Sequence, residues 1–227
     1  MLGLIGGMSW ESTAEYYRIM NELVKERLGG WHSAEILLYS VDFDEIVRLQ
    51  REKEWDRLVE ILGDIAVKLE NAGAKAVLIC TNTMHKVADD VQSRIKVPLI
   101  NIIDVTADAL KRDGVKTAGL LGTKFTMEDG FYQERMKKHG IEIIIPESEE
   151  DRNAVHSIIF DELCLGIFRD ESKERLERIV EELKRRGAEG IILGCTELPL
   201  LLRSDGSLYD TTKIHAEAAV KFLLGNI

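Results

Sequence analysis

The chain has 227 residues, 45% of them hydrophobic and 31% charged, and carries a net charge of −10. That length holds one large domain or two of about 100 residues each, with core enough to fold without staples. The acidic balance excludes a nucleic-acid surface, no apolar run approaches the ~18 residues that cross a bilayer, and three cysteines without paired spacing fit reduced thiols rather than a disulfide framework. The opening Met-Leu-Gly-Leu-Ile-Gly-Gly reads as a strand with no leader ahead of it, so a cytoplasmic location is expected.

Short apolar runs alternate with stretches of helical period, the pattern of βα units around a parallel sheet. Strands are predicted at 2–6, 35–40, 75–80, 98–102, 116–121, 141–145, 189–194 and 207–209. Helices are predicted near 12–28, 54–72, 84–94, 104–113, 127–139, 150–167, 172–187 and 211–224. Ser12 with Glu15 forms a capping box for the first helix. Gly114, Gly140 and Gly187 stop helices ahead of strands, and Pro199 sits in a first helical turn, where its missing N–H costs nothing. The acidic run Glu147–Asp151 reads as a solvated helix start.

The chain repeats itself. Lys68-Leu-Glu-Asn-Ala-Gly-Ala-Lys-Ala-Val-Leu-Ile-Cys-Thr-Asn-Thr83 is echoed by Glu182-Leu-Lys-Arg-Arg-Gly-Ala-Glu-Gly-Ile-Ile-Leu-Gly-Cys-Thr-Glu197, an offset of 114 (187−73 and 195−81). Leu4-Ile-Gly-Gly-Met-Ser9 is echoed by Leu120-Leu-Gly-Thr-Lys-Phe125 at an offset of 116 (122−6). These repeats predict an α/β fold of two pseudo-symmetric halves, each a four-stranded parallel sheet flanked by helices, with the active site between them. The expected halves are residues 1–101 with 208–227, and 102–207.

In open parallel sheets ligands bind beyond the carboxyl ends of the strands. The loops there are Gly6-Gly-Met-Ser9, Cys80-Thr-Asn-Thr83, Gly122-Thr-Lys124 and Gly194-Cys-Thr-Glu197. All four precede a helix, where free N–H groups suit a carboxylate; Ser9, Thr83, Thr123 and Thr196 supply hydroxyls. Cys195, one residue past a buried strand and at a helix start, is expected to have a thiol pKa lowered by the helix end. The repeat sets Thr81 opposite Cys195. Cys80, its rival, falls opposite Gly194, and strand alternation forbids both neighbours from facing one site. Two proton-carrying side chains on matched scaffolds suit one group on each side of a substrate carbon. Asn82 and Glu197 stand ready to orient an ammonium group. His85 bonds either a site group or its own helix. Arg48, Gln50, Arg51 and Lys53 form either a reader of an acidic side chain or a solvated run, and Cys164 reads as core. No complete dinucleotide or Walker motif, zinc spacing or Schiff-base lysine is recognisable.

Four stretches, Gly6-Gly-Met-Ser-Trp-Glu-Ser-Thr13, Cys80-Thr-Asn-Thr-Met-His85, Leu121-Gly-Thr-Lys-Phe-Thr-Met127 and Gly194-Cys-Thr-Glu-Leu-Pro199, give the chain its resemblance to the aspartate/glutamate racemase family. The likeness runs over essentially the whole length. It implies a PLP-independent, cofactor-free isomerase, a homodimer, acting on an amino acid by proton transfer at Cα. Members of that family typically carry cysteine in both loops; Thr81 departs from this and resembles a Thr/Cys subgroup of L-aspartate/glutamate-specific or broad-specificity racemases. The resemblance implies substrate contacts from Met8, Gln50 and the Thr81–Thr83 loop, with Thr81 and Cys195 as acid and base and no metal. Related proton-transfer enzymes (hydantoin racemase, maleate isomerase, malonate decarboxylase) are the alternative. Outside that chemistry stand a thiol hydrolase using Cys195 with His85 and a catalytically weak amino-acid-binding homologue.

Overall fold

Two parallel sheets organise the chain, and each belongs to a separate compact unit: Met1–Ile102 with His215–Ile227, and Ile103–Ile214. The computed structural model describes residues 1–202 and 206–225. In the first unit β1 (Leu2–Gly6), α1 (Trp10–Leu28), β2 (Ile36–Ser40), α2 (Phe43–Arg51), α3 (Trp55–Asn71) and β3 (Ala76–Ile79) follow in order. A 3₁₀ turn at Thr83–Val87 and α4 (Ala88–Ser93) come next, and α5 (Ile102–Arg112) leads out. The sheet order is β2-β1-β3, all parallel, with Leu4 opposite Leu38 and Leu78.

Alternation along these strands sorts the core into two layers. Leu2, Leu4, Ala76, Leu78 and Cys80 pack with Tyr16 and Met20 of α1 and with Ala216 and Val220. Ile5, Val77 and Ile79 turn the other way, onto Ile46 and Leu49 of α2, Leu58 and Leu62 of α3, and Val91 of α4.

The expected fourth strand at 98–102 shrinks to a single bridge, Val77 to Leu99. Pro98 has no N–H to give a ladder, and beyond the bridge the Ile100 carbonyl lies 2.7 Å from His215 Nε2 while the Ile102 N–H donates to His85 Nε2 at 3.1 Å, so neither extends the pairing. Helix α5 then begins at Ile102 and ends the extended run. The first sheet is therefore three-stranded.

The second unit runs β4 (Thr117–Leu121), α6 (Lys124–Glu128), α7 (Phe131–Lys138), β5 (Glu142–Ile144), α8 (Glu149–Ser157), α9 (Asp170–Arg185), β6 (Gly190–Leu193) and β7 (Leu208–Asp210). α10 (Thr211–Leu223) returns the chain to the first unit. The sheet order is β5-β4-β6-β7. Residues 208–214, expected with the first half, lie in the second, because Leu208, Tyr209 and Asp210 pair with Ile191, Ile192 and Leu193. Leu121, Ile191 and Leu193 pack on Val155, Leu176, Ile179 and Leu183.

The internal repeat holds at the level of single hydrogen bonds. Ala74 N–H donates to the Leu69 carbonyl at 3.0 Å, and Ala188 N–H to the Leu183 carbonyl at 3.0 Å. Gly73 and Gly187, between them, adopt φ of 100° and 101°, a conformation that glycine reaches without strain.

Some boundaries differ from expectation for local reasons. Ser9, not Ser12, caps α1: its hydroxyl accepts the Ser12 N–H at 3.3 Å. The predicted helix 127–139 is two helices, broken where Gly130 takes φ 80°. The predicted helix 150–167 loosens after Ser157 into a π turn at Ile158–Glu162 and a 3₁₀ turn at Leu163–Leu165. No helix among the described residues is long and apolar enough to cross a membrane.

Candidate active site

Six of the candidate residues lie at the carboxyl edge of the first sheet. β1 and β3 are neighbours, and the Cys80 N–H donates to the Ile5 carbonyl at 2.9 Å, so the loops that follow them sit together. Met8 is buried in the same layer as Met84, Ile46 and Leu49. Ser9 spends its hydroxyl acceptor on α1, and its carbonyl receives the Thr13 hydroxyl at 2.8 Å. Asn82 and Thr83 are buried at the head of the 3₁₀ turn, whereas Thr81 before them stays partly exposed.

Cys80 is fully buried, in the layer against α1. Burial pushes its thiol far above the usual range. It is a core residue in this unit.

The polar segment after β2, where no helix is predicted from the sequence, is helix α2. Asp42 caps it by accepting the Asp44 N–H at 3.1 Å, and Phe43, Ile46 and Leu49 recur on one face. That capped three-residue period was the signal available in the sequence. The helix sorts the four polar candidates: Gln50 faces inward, 4% exposed, and its amide donates to Met84 Sδ at 3.9 Å. Arg48 pairs at the surface with Glu52 at 2.9 Å, and Arg51 and Lys53 are exposed. The inward-facing polar group on this helix is a neutral amide.

The remaining candidates lie at the carboxyl edge of the second sheet. The Gly194 N–H donates to the Leu121 carbonyl at 2.6 Å, and a Cβ at Gly122 would lie 3.0 Å from the Gly194 carbonyl oxygen. The two loops therefore touch backbone to backbone. Thr123 caps α6, accepting the Thr126 N–H at 3.3 Å.

Cys195, Thr196 and Glu197 form a buried triplet. The Cys195 thiol and the Thr196 hydroxyl both donate to Glu197 Oε2, each at 2.9 Å. Here the expectation of a thiolate-favouring helix end fails. The helix after Cys195 is only the three-residue 3₁₀ turn Leu198–Leu200. Its small dipole is outweighed by burial, first, and by the negative charge of Glu197, which together hold the thiol well above its ordinary pKa. Cys195 rests as a thiol with an acceptor for its proton in place. The Cys-Thr-Glu spacing hinted at this, but a contact two residues away depends on the turn.

His85 is held at both ring nitrogens. The Ile102 N–H donates to Nε2 at 3.1 Å, and Nδ1 lies 2.8 Å from the Thr81 carbonyl oxygen. A ring so engaged is poorly placed to serve as a general base for a Cys195 hydrolase. Cys164 is partly buried against the second core. Among the described residues no group of three or more His, Cys, Asp or Glu side chains could hold a metal ion.

A parallel α/β pair of units, each presenting a polar, small-residue loop pair beyond its strands, defines the class. The sequence profile of the Asp/Glu/Hydantoin racemase family matches residues 5–219, and the chain belongs to that family. It is similar to the broad specificity amino-acid racemase RacX of Bacillus subtilis, 24% identical over 99% of this chain and 98% of that protein. Among solved structures, a candidate Asp/Glu racemase from Yersinia pestis aligns with a TM-score of 0.91 at 50% identity, covering 98% of each chain. An aspartate racemase homologue from Pyrococcus horikoshii OT3 aligns with a TM-score of 0.84 at 36% identity, covering 97% of each.

Proposed function

We propose that this chain is a cofactor-independent amino-acid racemase of the aspartate/glutamate type, with Thr81 and Cys195 as the two proton carriers at Cα. One observation carries the reading: the two residues occupy repeat-related positions, each just past a strand, β3 or β6, that lies beside the first strand of its sheet. The substrate would lie with its Cα between them. Family membership and the similarity to an amino-acid racemase over the full chain support the reaction class.

The thiol–carboxylate contact suggests how the poor resting acidity of Cys195 is overcome. As the substrate enters, the thiol proton passes to Glu197, and the thiolate takes the α-proton. The Thr81 hydroxyl gives its proton to the opposite face, and solvent restores the starting protonation. In the other direction the Thr81 hydroxyl first loses its proton to solvent, the alkoxide takes the α-proton, the Cys195 thiol gives its proton to the opposite face, and solvent reprotonates the thiolate. Positioned acid–base groups contribute about 10²–10⁴-fold, so loop N–H groups and hydroxyls around Thr83, Thr123 and Thr196 must also stabilise charge growing on the carboxylate. Asn82 is suited to hold the ammonium group, and Gln50, beside Met8, to read the substrate side chain.

Incubating L- and D-forms of a panel of amino acids with the protein and resolving the products by chiral chromatography tests this reading. Aspartate or glutamate should interconvert without added pyridoxal phosphate. Because the equilibrium constant between enantiomers is one, kcat/KM must be equal in both directions, but kcat should differ, since threonine is much the harder group to deprotonate. Conversion confined to hydantoins, or no conversion of any amino acid, would overturn it. The same reading makes the protein a cytoplasmic homodimer, which light scattering of the purified protein checks.

A further inference from the structure

Hydrogen-bond donors and acceptors behind Thr81 are ordered in one direction only. A backbone carbonyl can only accept, so His215, whose Nε2 lies 2.7 Å from the Ile100 oxygen, carries its proton there. Its Nδ1 then accepts the Tyr16 hydroxyl proton at 2.8 Å. His85 has the opposite arrangement. Its Nε2 accepts the Ile102 N–H, so the ring proton sits on Nδ1 and is donated to the Thr81 carbonyl. The rings meet edge to face with centroids 5.8 Å apart.

The backbone around Thr81 makes this bond consequential. In a continuous α-helix the N–H of residue 85 would reach the carbonyl of residue 81. Here it donates to the Asn82 carbonyl at 3.0 Å, as a 3₁₀ turn requires, and the imidazole takes the Thr81 carbonyl instead.

We propose that His85 is a positioning residue for Thr81, locked as the Nδ1–H tautomer, with His215 and Tyr16 bracing the Ile100–Ile102 segment that locks it. The inference rests on the reading of Thr81 as a proton carrier. His85 touches no reacting atom; it fixes the peptide from which the Thr81 side chain springs.

Two substitutions separate its bonds, because asparagine places an amide N–H near the position of Nδ1 and glutamine places its amide near Nε2. His85→Asn keeps a donor for the Thr81 carbonyl; His85→Gln keeps an acceptor for Ile102 and loses that donor. Solvent deuterium exchange at Cα is measured for each enantiomer in wild type, Thr81→Ala, His85→Asn and His85→Gln. In His85→Gln, exchange from the enantiomer that depends on Thr81 should fall about tenfold or more, the scale of a misplaced catalytic group, with KM little changed. Exchange from the enantiomer that depends on Cys195 should persist, and His85→Asn should stay within about threefold of wild type. Equal losses in the two His85 variants, or equal losses from both enantiomers, would overturn the positioning role. Thr81→Ala behaving as wild type would instead remove the reading beneath it. Long-range ¹⁵N–¹H spectra of the wild-type protein give a test that needs no variant to fold: His85 should show the Nδ1–H tautomer, and an Nε2–H tautomer would overturn the proposal.

Discussion

Cys195 and Glu197 set the acid–base character of the second unit's loop. A buried thiol that donates to a carboxylate at 2.9 Å has little tendency to ionise at rest. Replacing the carboxylate by an amide removes the negative charge, so Glu197→Gln should lower the Cys195 pKa. Alkylation of Cys195 by iodoacetamide, mapped by peptide mass, should be slow near neutrality in the wild type and its midpoint in pH should move down in the variant. An unmoved or raised midpoint would show that Glu197 does not hold the thiol up. His215 gives a second residue-scale consequence. Burial, followed by the neighbouring His85, pushes its pKa down from 6.5 to about 3, against the opposing bond to Ile100. The unfolded chain therefore takes up a proton below about pH 6.5 that the folded chain refuses until about pH 3. Stability from this group is complete above the upper value and drains away as pH falls. Between pH 6.5 and 5, urea unfolding of the wild type should lose up to about 1.4 kcal/mol per pH unit from this site. His215→Gln, which keeps a donor for Ile100, should show a flatter profile; an equal slope would exclude His215 as the source.

At the scale of elements, the turn between β1 and α1 is the tightest constraint on the first unit's loop. Gly7 has φ 89°, and a Cβ there would collide with the backbone of Val41. Both penalties act at once, so Gly7→Ala should cost at least about 1–3 kcal/mol in urea unfolding; a neutral effect would mean that the β1–α1 and β2–α2 connections can separate freely. Elements of this kind explain what could be read in advance. β1, β3, β4 and β6 were legible because both faces of a parallel strand are buried, leaving short apolar runs between helices. Helix α2 was missed: nine residues with charges at Asp44, Glu45, Arg48 and Arg51 look like a loop unless the Asp42 cap and the Phe43, Ile46, Leu49 period are taken together. The strand at 98–102 was over-read, since the Ile100 carbonyl and the Ile102 N–H go to the rings of His215 and His85, contacts that no local pattern announces. The position of Cys80 in the core followed from strand alternation. The raised pKa of Cys195 could not, because it depends on how short the following turn is and on where the Glu197 carboxylate folds back.

Over the whole molecule, a net charge of −10 repels rather than gathers an acidic amino acid, so the proposed substrate requires local attraction from the loops at the sheet edges. The inward-facing polar residue on α2 is the neutral Gln50, while its cationic neighbours stay at the surface. Duplication is the property on which the functional account depends. β3 and β6 each lie beside the first strand of their own sheet, their preceding turns share hydrogen bonds and φ angles, and Thr81 and Cys195 follow them. If the two residues serve opposite faces of one carbon, removing either must leave a one-sided enzyme. The decisive measurement is deuterium incorporation at Cα of L- and D-aspartate in heavy water, followed by NMR with wild type, Thr81→Ala and Cys195→Ala. The wild type should label both enantiomers. Each variant should lose racemisation yet go on labelling a single enantiomer, and the two variants should label opposite ones. Labelling of both enantiomers by either variant, or of the same one by both, would contradict the two-carrier account.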